Sequence, residues 1–388
     1  MTSRFGRLAL ATTLALAGLC PTARAGNPAK PPPDPVDPGT VYFYNGSQLW
    51  SMKPDGTSKN SVLPPQALPA APSRALHSGK RWFLFYQVVN PNVFYPLPEP
   101  VAGGCTYDSR PQEELFALSD QGDLVQLTDD PLLEHKHFFY ASWSDPEPRW
   151  AKRDGVADGR VSFLARHWAL GADGKWFVDG IGLYHVDLDP DQLASGVVVA
   201  QVPQRLETVV LPVEFAVRVA GRCDKLTYGW TPAVCGYDWS PDGSRVVFDT
   251  WSGGLFITEI AAGATSQVCG DGSCPRWSPV QPGGGSQILF VSGIAYSTPN
   301  ASRRIDRINP NGSGRVMVVP ATSTKQWLGY EGGYHWSPQG THFVYSVITS
   351  GSGQLVSGAV YRAAADGTGR VNLTSKLNNA YPAGWVDP

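Results

Sequence analysis

The sequence predicts an all-β chain: a six-bladed β-propeller of four-stranded blades, with the first blade closed by the C-terminal strand. Three observations predict it. Five tryptophans mark the same short phrase: Trp143 in WSDPEPRW, Trp239 in WSPDGSRVVF, Trp277 in WSPVQPGGGSQILF, Trp336 in WSPQGTHFVY and Trp385 in YPAGWVDP. Recurrence at about 40 to 60 residues is a propeller-like period. Among them lie six copies of an apolar strand, a Gly, Asp, Asn or Pro turn and a second strand, with Leu49, Leu115, Leu183, Leu255, Ile305 and Val360 in the same place. Turn residues between β-prone runs mark hairpins. The first copy lacks a leading strand, and the missing strand stands at residues 381–385.

Residues 1–25 read as a secretory signal. Arg4 and Arg7 give a positive start, residues 8–19 an apolar core, and Ala23-Arg24-Ala25 a small-residue cleavage site. Cys20 raises a lipoprotein anchor, but Leu19 before it is a poor fit to the small residue such processing expects, so cleavage is placed after Ala25. Residues 26–39 are proline-rich and read as an extended linker. Residues 40–388 form one propeller domain. Each blade runs strand A with its tryptophan, an SPDG-type turn, strand B, strand C, a turn and strand D. Blade 1 supplies B to D from residue 41 and takes strand A from the C-terminal segment. Such closure protects edge strands. Blade 2, in PSRALHSGKRWFLFY, keeps Gly79 and strand B but has Ala75 where the tryptophan is expected. Blades 3 to 6 are led by Trp143, Trp239, Trp277 and Trp336, and residues 144–158 lengthen the A–B hairpin of blade 3.

WSPDGSRVVF and its copies resemble the TolB-like, PD40 or WD40-like propeller family. The resemblance covers nearly all of the chain beyond the signal. It implies six blades and a periplasmic or other extracytoplasmic location. Members of such families serve as protein-interaction scaffolds, as sensor or substrate-gating domains and occasionally as enzymes, and fold alone does not choose among these.

Charged residues make up only 16% of the chain, against 42 Gly and 34 Pro, which suits short strands and abundant turns and leaves no long amphipathic helix. Removing the signal takes away three arginines and no acid, which moves the formal charge from −2 to −5. No basic block stands out, which speaks against nucleic acid as a partner. No apolar run beyond the signal is long enough to span a bilayer. In an exported chain cysteines are expected to pair. Cys269 and Cys274 flank the turn CGDGSC, and Cys223 and Cys235 flank a long insertion, which leaves Cys105 alone. Metal binding is the other reading of CxxxxC, but no matching pair supports it.

A minimal blade of about 40 residues leaves excess length for loops. Residues 88–113, 167–182, 292–302 and 349–358 fall between strands B and C, and residues 211–236 and 320–333 between D and the next A. Both kinds of connection emerge on one face, and loops on a rigid scaffold are where function sits. These insertions carry Phe94, Tyr95, Trp168, Trp176, Phe177, Trp230, Tyr296, Trp327 and Tyr330. Such aromatics suit a protein, peptide or sugar surface, or hold long loops down against one another. Residues just before strand A are expected to line the mouth of the central channel: His137, Tyr140, Ser142, Tyr237, Asp238, Arg276, Tyr334, His335 and Tyr381. That mixture suits a polar or anionic ligand, or simply solvates a water-filled channel.

The chain has no G-x-S-x-G elbow, no P-loop and no dinucleotide fingerprint. His135-Lys136-His137 is an HxH pair, and imidazole suits transition metals. His335 occupies the corresponding entry of blade 6, opposite blade 3, so ligand bonds of about 2.0–2.2 Å would require reach across the channel. Oligogalacturonate lyases in this broad fold class use a His-rich metal site in the funnel, but no motif here carries that site over. Asp187, Asp189 and Asp191 alternate as in a calcium loop but lack its glycine and distal glutamate. No metal or cofactor is expected. The functional expectation is an exported, non-catalytic scaffold that binds a protein or peptide through its loop-decorated face. The alternative is a carbohydrate-binding or carbohydrate-cleaving propeller, metal-assisted and lyase-like, with its site in the funnel.

Overall fold

Period-two alternation in short β-branched and aromatic runs builds the blades. A computed structural model describes residues 36–45, 48–62, 71–75, 80–101, 105–129, 135–137, 148–153, 156–170, 176–196, 198, 200–209, 216–218, 228–230, 236–250, 254–293, 303–321, 326–328, 333–351, 354–377 and 380–387. Blade 4 shows the plan: Tyr237–Trp239, Arg245–Asp249, Leu255–Glu259 and Thr265–Cys269 pair in that order, all antiparallel. Its A–B turn is a small hydrogen-bonded unit. Gly243 N–H donates to the Ser240 carbonyl, and Asp242 accepts from the Ser240 and Ser244 hydroxyls. Gly243 has φ of 74°, and a β-carbon there would lie 2.2 Å from the Lys152 carbonyl of blade 3. Glycine is therefore required both by the turn and by the neighbouring blade.

Blade 5 repeats the order with Ser273–Trp277, Ile288–Ser292, Arg304–Ile308 and Val316–Val319. Blade 6 uses Tyr334–Trp336, His342–Gly351, Gln354–Ala364 and Val371–Asn372. Blade 2 is Ala71–Ala75, Arg81–Val101, Cys105–Ser119 and Leu124–Gln126. Blade 1 is ordered Ala380–Val386, Thr40–Asn45, Gln48–Met52 and Asn60–Ser61, with Trp385 opposite Val41. The C-terminal strand thus closes the first blade, as the sequence expects.

Blade 3 differs from expectation. Arg149–Arg153 pairs with the near half of Val156–Leu170, and His135–His137 with its far half; Trp176–Asp187 and Gln204–Arg205 follow. Trp150 stands opposite Val161, as Trp239 stands opposite Val246. Trp150, not Trp143, therefore holds the blade-3 tryptophan position, and residues 149–153 belong to strand A rather than to a hairpin insertion. Trp143 lies outside the described residues.

Six apolar clusters tie the blades, one at each of the six interfaces. Between blades 6 and 1, Val344 and Val360 meet Val41, Phe43 and Trp385. Between blades 2 and 3, Trp82 and Leu115 meet Phe163 and Tyr184. Each side chain buried this way contributes roughly 1.5–3 kcal/mol. The compact unit starts at Val36, within the expected linker. Val36 packs on the cluster between blades 6 and 1, and buried Asp37 accepts hydrogen bonds from the hydroxyls of Ser337 and Thr341 in the blade-6 turn.

Strands B and C are unequal around the ring. They have 5 residues each in blades 4 and 5. They reach 21 and 15 in blade 2, 15 and 12 in blade 3, and 10 and 11 in blade 6. Loops were the expectation at residues 88–113, 167–182 and 349–358. The backbone instead runs on as antiparallel ribbons to Val101↔Cys105, Leu170↔Trp176 and Gly351↔Gln354. Register shifts at Val88/Asn90, Asn90/Val93 and Pro96/Val101 let the proline-bearing ribbon stay paired. Among the described residues no helix is long and apolar enough to cross a membrane. Residues 1–35, with the expected signal and Cys20, lie outside them.

Candidate functional site: the inner ring of the channel

Alternation along strand A decides which side chains face the channel. Tyr237 and Trp239 are buried among the blade interfaces, so Asp238 between them points the other way. His335 stands likewise between buried Tyr334 and Trp336. Arg276 precedes Trp277 in blade 5, and Arg149 precedes Trp150 in blade 3. Blade 1 presents Gly384 at the corresponding place, before Trp385. Blades 3 to 6 thus contribute Arg149, Asp238, Arg276 and His335 to one ring.

Each is held firmly. Asp238 accepts from its neighbour's N–H, Trp239, at 3.0 Å and from Trp277 N–H at 2.6 Å, which joins blades 4 and 5. Burial pushes its carboxyl up from the ordinary range, against the opposing pull of Arg149 and Arg276. Arg276 is buried; its Nη1 donates to the Pro275 carbonyl at 3.0 Å, and its guanidinium lies 5.9 Å from the centre of the Tyr334 ring. The Arg276 carbonyl accepts from Trp336 Nε1 at 3.1 Å, which joins blades 5 and 6. Arg149 is buried as well. Burial holds the His335 imidazole well below its usual pKa, and the Arg276 and Arg149 guanidiniums lower it further. The ring is therefore neutral. Its Nε2 is buried with no hydrogen-bond partner among the described residues. Two guanidiniums, one carboxylate and one neutral imidazole give a site that can accept an anion.

Of the expected channel residues, Asp238, Arg276 and His335 come together. Tyr237 and Tyr334 do not line the channel. Their side chains point with the tryptophans, and their hydroxyls tie blades: Tyr237 donates to the Ser162 carbonyl of blade 3 at 2.8 Å, and Tyr334 to the Cys274 carbonyl of blade 5. Arg149 was not among the expected residues. Its signal is nonetheless present, because Pro148-Arg149-Trp150 repeats Pro275-Arg276-Trp277. The backbone of His137 pairs with Ala165 on the blade-3 ribbon. Tyr140 lies outside the described residues. Tyr95 is on the blade-2 ribbon, and Trp168 and Trp176 are on the blade-3 ribbon. Trp327 pairs with Ile348 of blade 6, and Trp230 with Ala216 in a separate two-stranded ribbon. Tyr330 lies outside the described residues.

The expected Cys269–Cys274 bridge is absent; both are free thiols. Cys269 packs on the core between blades 4 and 5 and donates to the Asp271 carbonyl at 3.0 Å. Cys274 packs on the core between blades 5 and 6, and burial pushes its thiol up to about 12. The intervening turn thus sends the two sulfurs into different interfaces. Cys223, Cys235 and Cys105 fall outside any described side chain. Two of the three calcium-like acids are otherwise engaged: Asp187 pairs with Arg160 at 2.7 Å, and Asp189 caps the helix Pro190–Ser195. Among the described residues no group of three or more His, Cys, Asp or Glu side chains is placed to hold a metal ion.

No family model and no curated protein matches this chain. Solved structures are similar to it. An oligogalacturonate lyase in complex with manganese has a TM-score of 0.35 and 13% identity, covering 78% of this chain and 71% of that one. The oligogalacturonate lyase from Vibrio parahaemolyticus gives 0.33 and 11%, over 87% and 74%. The tricorn protease gives 0.32 and 11%, over 82% of this chain but 28% of its own. At these values the likeness transfers no substrate and no chemistry.

Proposed function

We propose that this chain is an exported, TolB-like propeller that acts as a binding scaffold, holding a protein or peptide on the face from which its long ribbons rise. The observation that carries this reading is the one-sided elongation of blades 2, 3 and 6. Strands of 5 residues suffice for a blade, as blades 4 and 5 show. The added length in the other three blades all lies at the B–C end, the same face for every blade. Tyr95, Trp168 and Trp176 sit on those ribbons, and Trp327 pairs with one of them. Aromatic side chains give large contact area at small entropy cost, and strand edges accept extended peptides. The test is photo-crosslinking in cells from Trp327 and Trp230, each replaced singly by a crosslinking residue, with mass spectrometry of the adducts. One recurrent protein captured from both positions supports the scaffold. Normal expression with no protein adduct at either position refutes it.

A further inference from the structure

Three turns between strands C and D are built alike. In blade 1 the Asp55 carboxylate accepts from the Thr57 N–H at 2.8 Å and from its hydroxyl at 2.6 Å, while Gly56 N–H donates to the Lys53 carbonyl. In blade 6 Asp366 accepts from the Thr368 N–H at 2.9 Å and from its hydroxyl at 2.6 Å, while Gly367 N–H donates to the Ala364 carbonyl. Blade 5 copies every bond with an amide in place of the carboxylate. Asn311 Oδ1 accepts from the Ser313 N–H at 3.0 Å and from its hydroxyl at 2.7 Å, while Gly312 N–H donates to the Asn309 carbonyl. The two donors are placed for negative charge. Those of Thr57 hold the Asp55 carboxyl below its ordinary range, and those of Thr368 do the same for Asp366. Asn311 and Ser313 are exposed, so water reaches the turn. Gly312 follows Asn311 directly, and without a side chain it leaves its backbone nitrogen unshielded.

We propose that Asn311 is a site of spontaneous modification, converted in the folded protein to aspartate by way of a succinimide. The Gly312 nitrogen bonds to Asn311 Cγ, the Cγ–Nδ2 bond breaks, and ammonia leaves with the proton that the Gly312 nitrogen gives up. Negative charge develops on Oδ1 in that step, where the Ser313 N–H and hydroxyl already point. Water then opens the succinimide at one of its two carbonyls, its oxygen going to carbon and a proton to the Gly312 nitrogen. Opening at Cγ returns the original peptide bond and yields an aspartate with every bond of the blade-1 and blade-6 turns. Opening at the backbone carbonyl yields isoaspartate, whose main chain is one carbon longer. The fold opposes that product, because Gly312 is fixed in place. Its φ is 81°, its N–H is tied to the Asn309 carbonyl, and a β-carbon on it would lie 2.8 Å from the Val268 carbonyl of blade 4. The turn therefore selects aspartate. The inference stands on this turn alone and does not depend on the ribbon face.

The experiment incubates the folded full-length mature protein, and the same protein in urea, in mildly alkaline buffer. Mass spectrometry of the digests reads conversion at Asn311, and electron-transfer fragmentation separates aspartate from isoaspartate. The folded protein is expected to convert Asn311 with aspartate in excess. In urea, where the turn is gone, isoaspartate is expected in excess. Ser313→Ala, which removes one donor to Oδ1, should slow conversion in the folded protein about threefold to tenfold, the worth of one hydrogen bond. Asn311→Asp should co-elute on ion exchange with the acidic form that the incubated protein generates. The inference is overturned if Asn311 stays intact in the folded protein over the time that converts it in urea. It is overturned equally if isoaspartate exceeds aspartate in the folded protein, or if Ser313→Ala converts at an unchanged rate. The product ratio of the unsubstituted protein decides this even where a variant fails to fold.

Discussion

Acidification is expected to destabilise this protein by a definite amount through His335 alone. In the folded state burial keeps the imidazole neutral, and Arg276 and Arg149 reinforce that. In the unfolded chain it titrates near its ordinary value of 6.5. The unfolded state therefore binds more protons, so stability is fully present above that value and falls as the pH drops through it. Between about pH 7.5 and about pH 5.5 the unfolded ring gains close to one proton, which stabilises the unfolded state by about 1.3 kcal/mol. Buried His185, whose basicity is lowered first by burial and then by Arg160, adds a term of the same sign. Urea unfolding of the wild type and His335→Phe at the two pH values isolates the residue, because all other groups cancel in the double difference. The variant should lose about 1.3 kcal/mol less than the wild type on acidification. Equal losses would mean that the folded imidazole takes up a proton, and the burial argument for its neutrality would go with it.

Other substitutions test the fold. Trp385→Ala removes a buried side chain from the cluster between blades 6 and 1, along with its hydrogen bond to the Pro38 carbonyl, and should cost about 3–5 kcal/mol in urea unfolding. Gly243→Ala places a β-carbon 2.2 Å from Lys152 O, whereas Gly122→Ala meets nothing within 4 Å at a similarly positive φ. The second should cost about 1–2 kcal/mol and the first clearly more, measured the same way. Both thiols are half-buried, but burial pushes the Cys274 thiol up to about 12, so alkylation of native protein should reach Cys269 before Cys274, and alkylation after denaturation without reductant should label both. A disulfide-linked peptide between them would contradict the free thiols.

Much of this fold is written in short-range chemistry. WSPDGSRVVF specifies its own turn, because Ser240, Asp242 and Gly243 satisfy one another locally. Copies that keep this turn, such as Trp336 and its SPQG, fall in register without help from the rest of the chain. Blade 3 misleads because WSDPEPRW offers two tryptophans seven residues apart, and only pairing with Val161 selects Trp150. That error also hid Arg149. Tyr237 and Tyr334 were expected in the channel because they adjoin strand A; a strand's alternation sends every second residue into the blade interface. The ribbons were illegible for a different reason. VVNPNVFYPLPEP is too rich in proline to read as strand, and only register shifts make it pairable. The inner-ring site depends on four blades meeting around an axis, which no single repeat encodes.

The seam between the first and last blades gives the ring an order of assembly. Asp37 meets Ser337 across 300 residues of chain, and Trp385 meets Pro38 across 347. Bringing such distant segments together costs about 5 kcal/mol in chain entropy, whereas the hairpins within blades 4 and 5 close over a few residues. Local blades can therefore form early and the seam last, in the manner of folds dominated by late non-local contacts. Interactions that form after the rate-limiting barrier govern how fast a protein comes apart rather than how fast it folds. The Asp37 strap and the Trp385 strand thereby act as a kinetic latch, setting the lifetime of the closed ring and marking the place where it first opens.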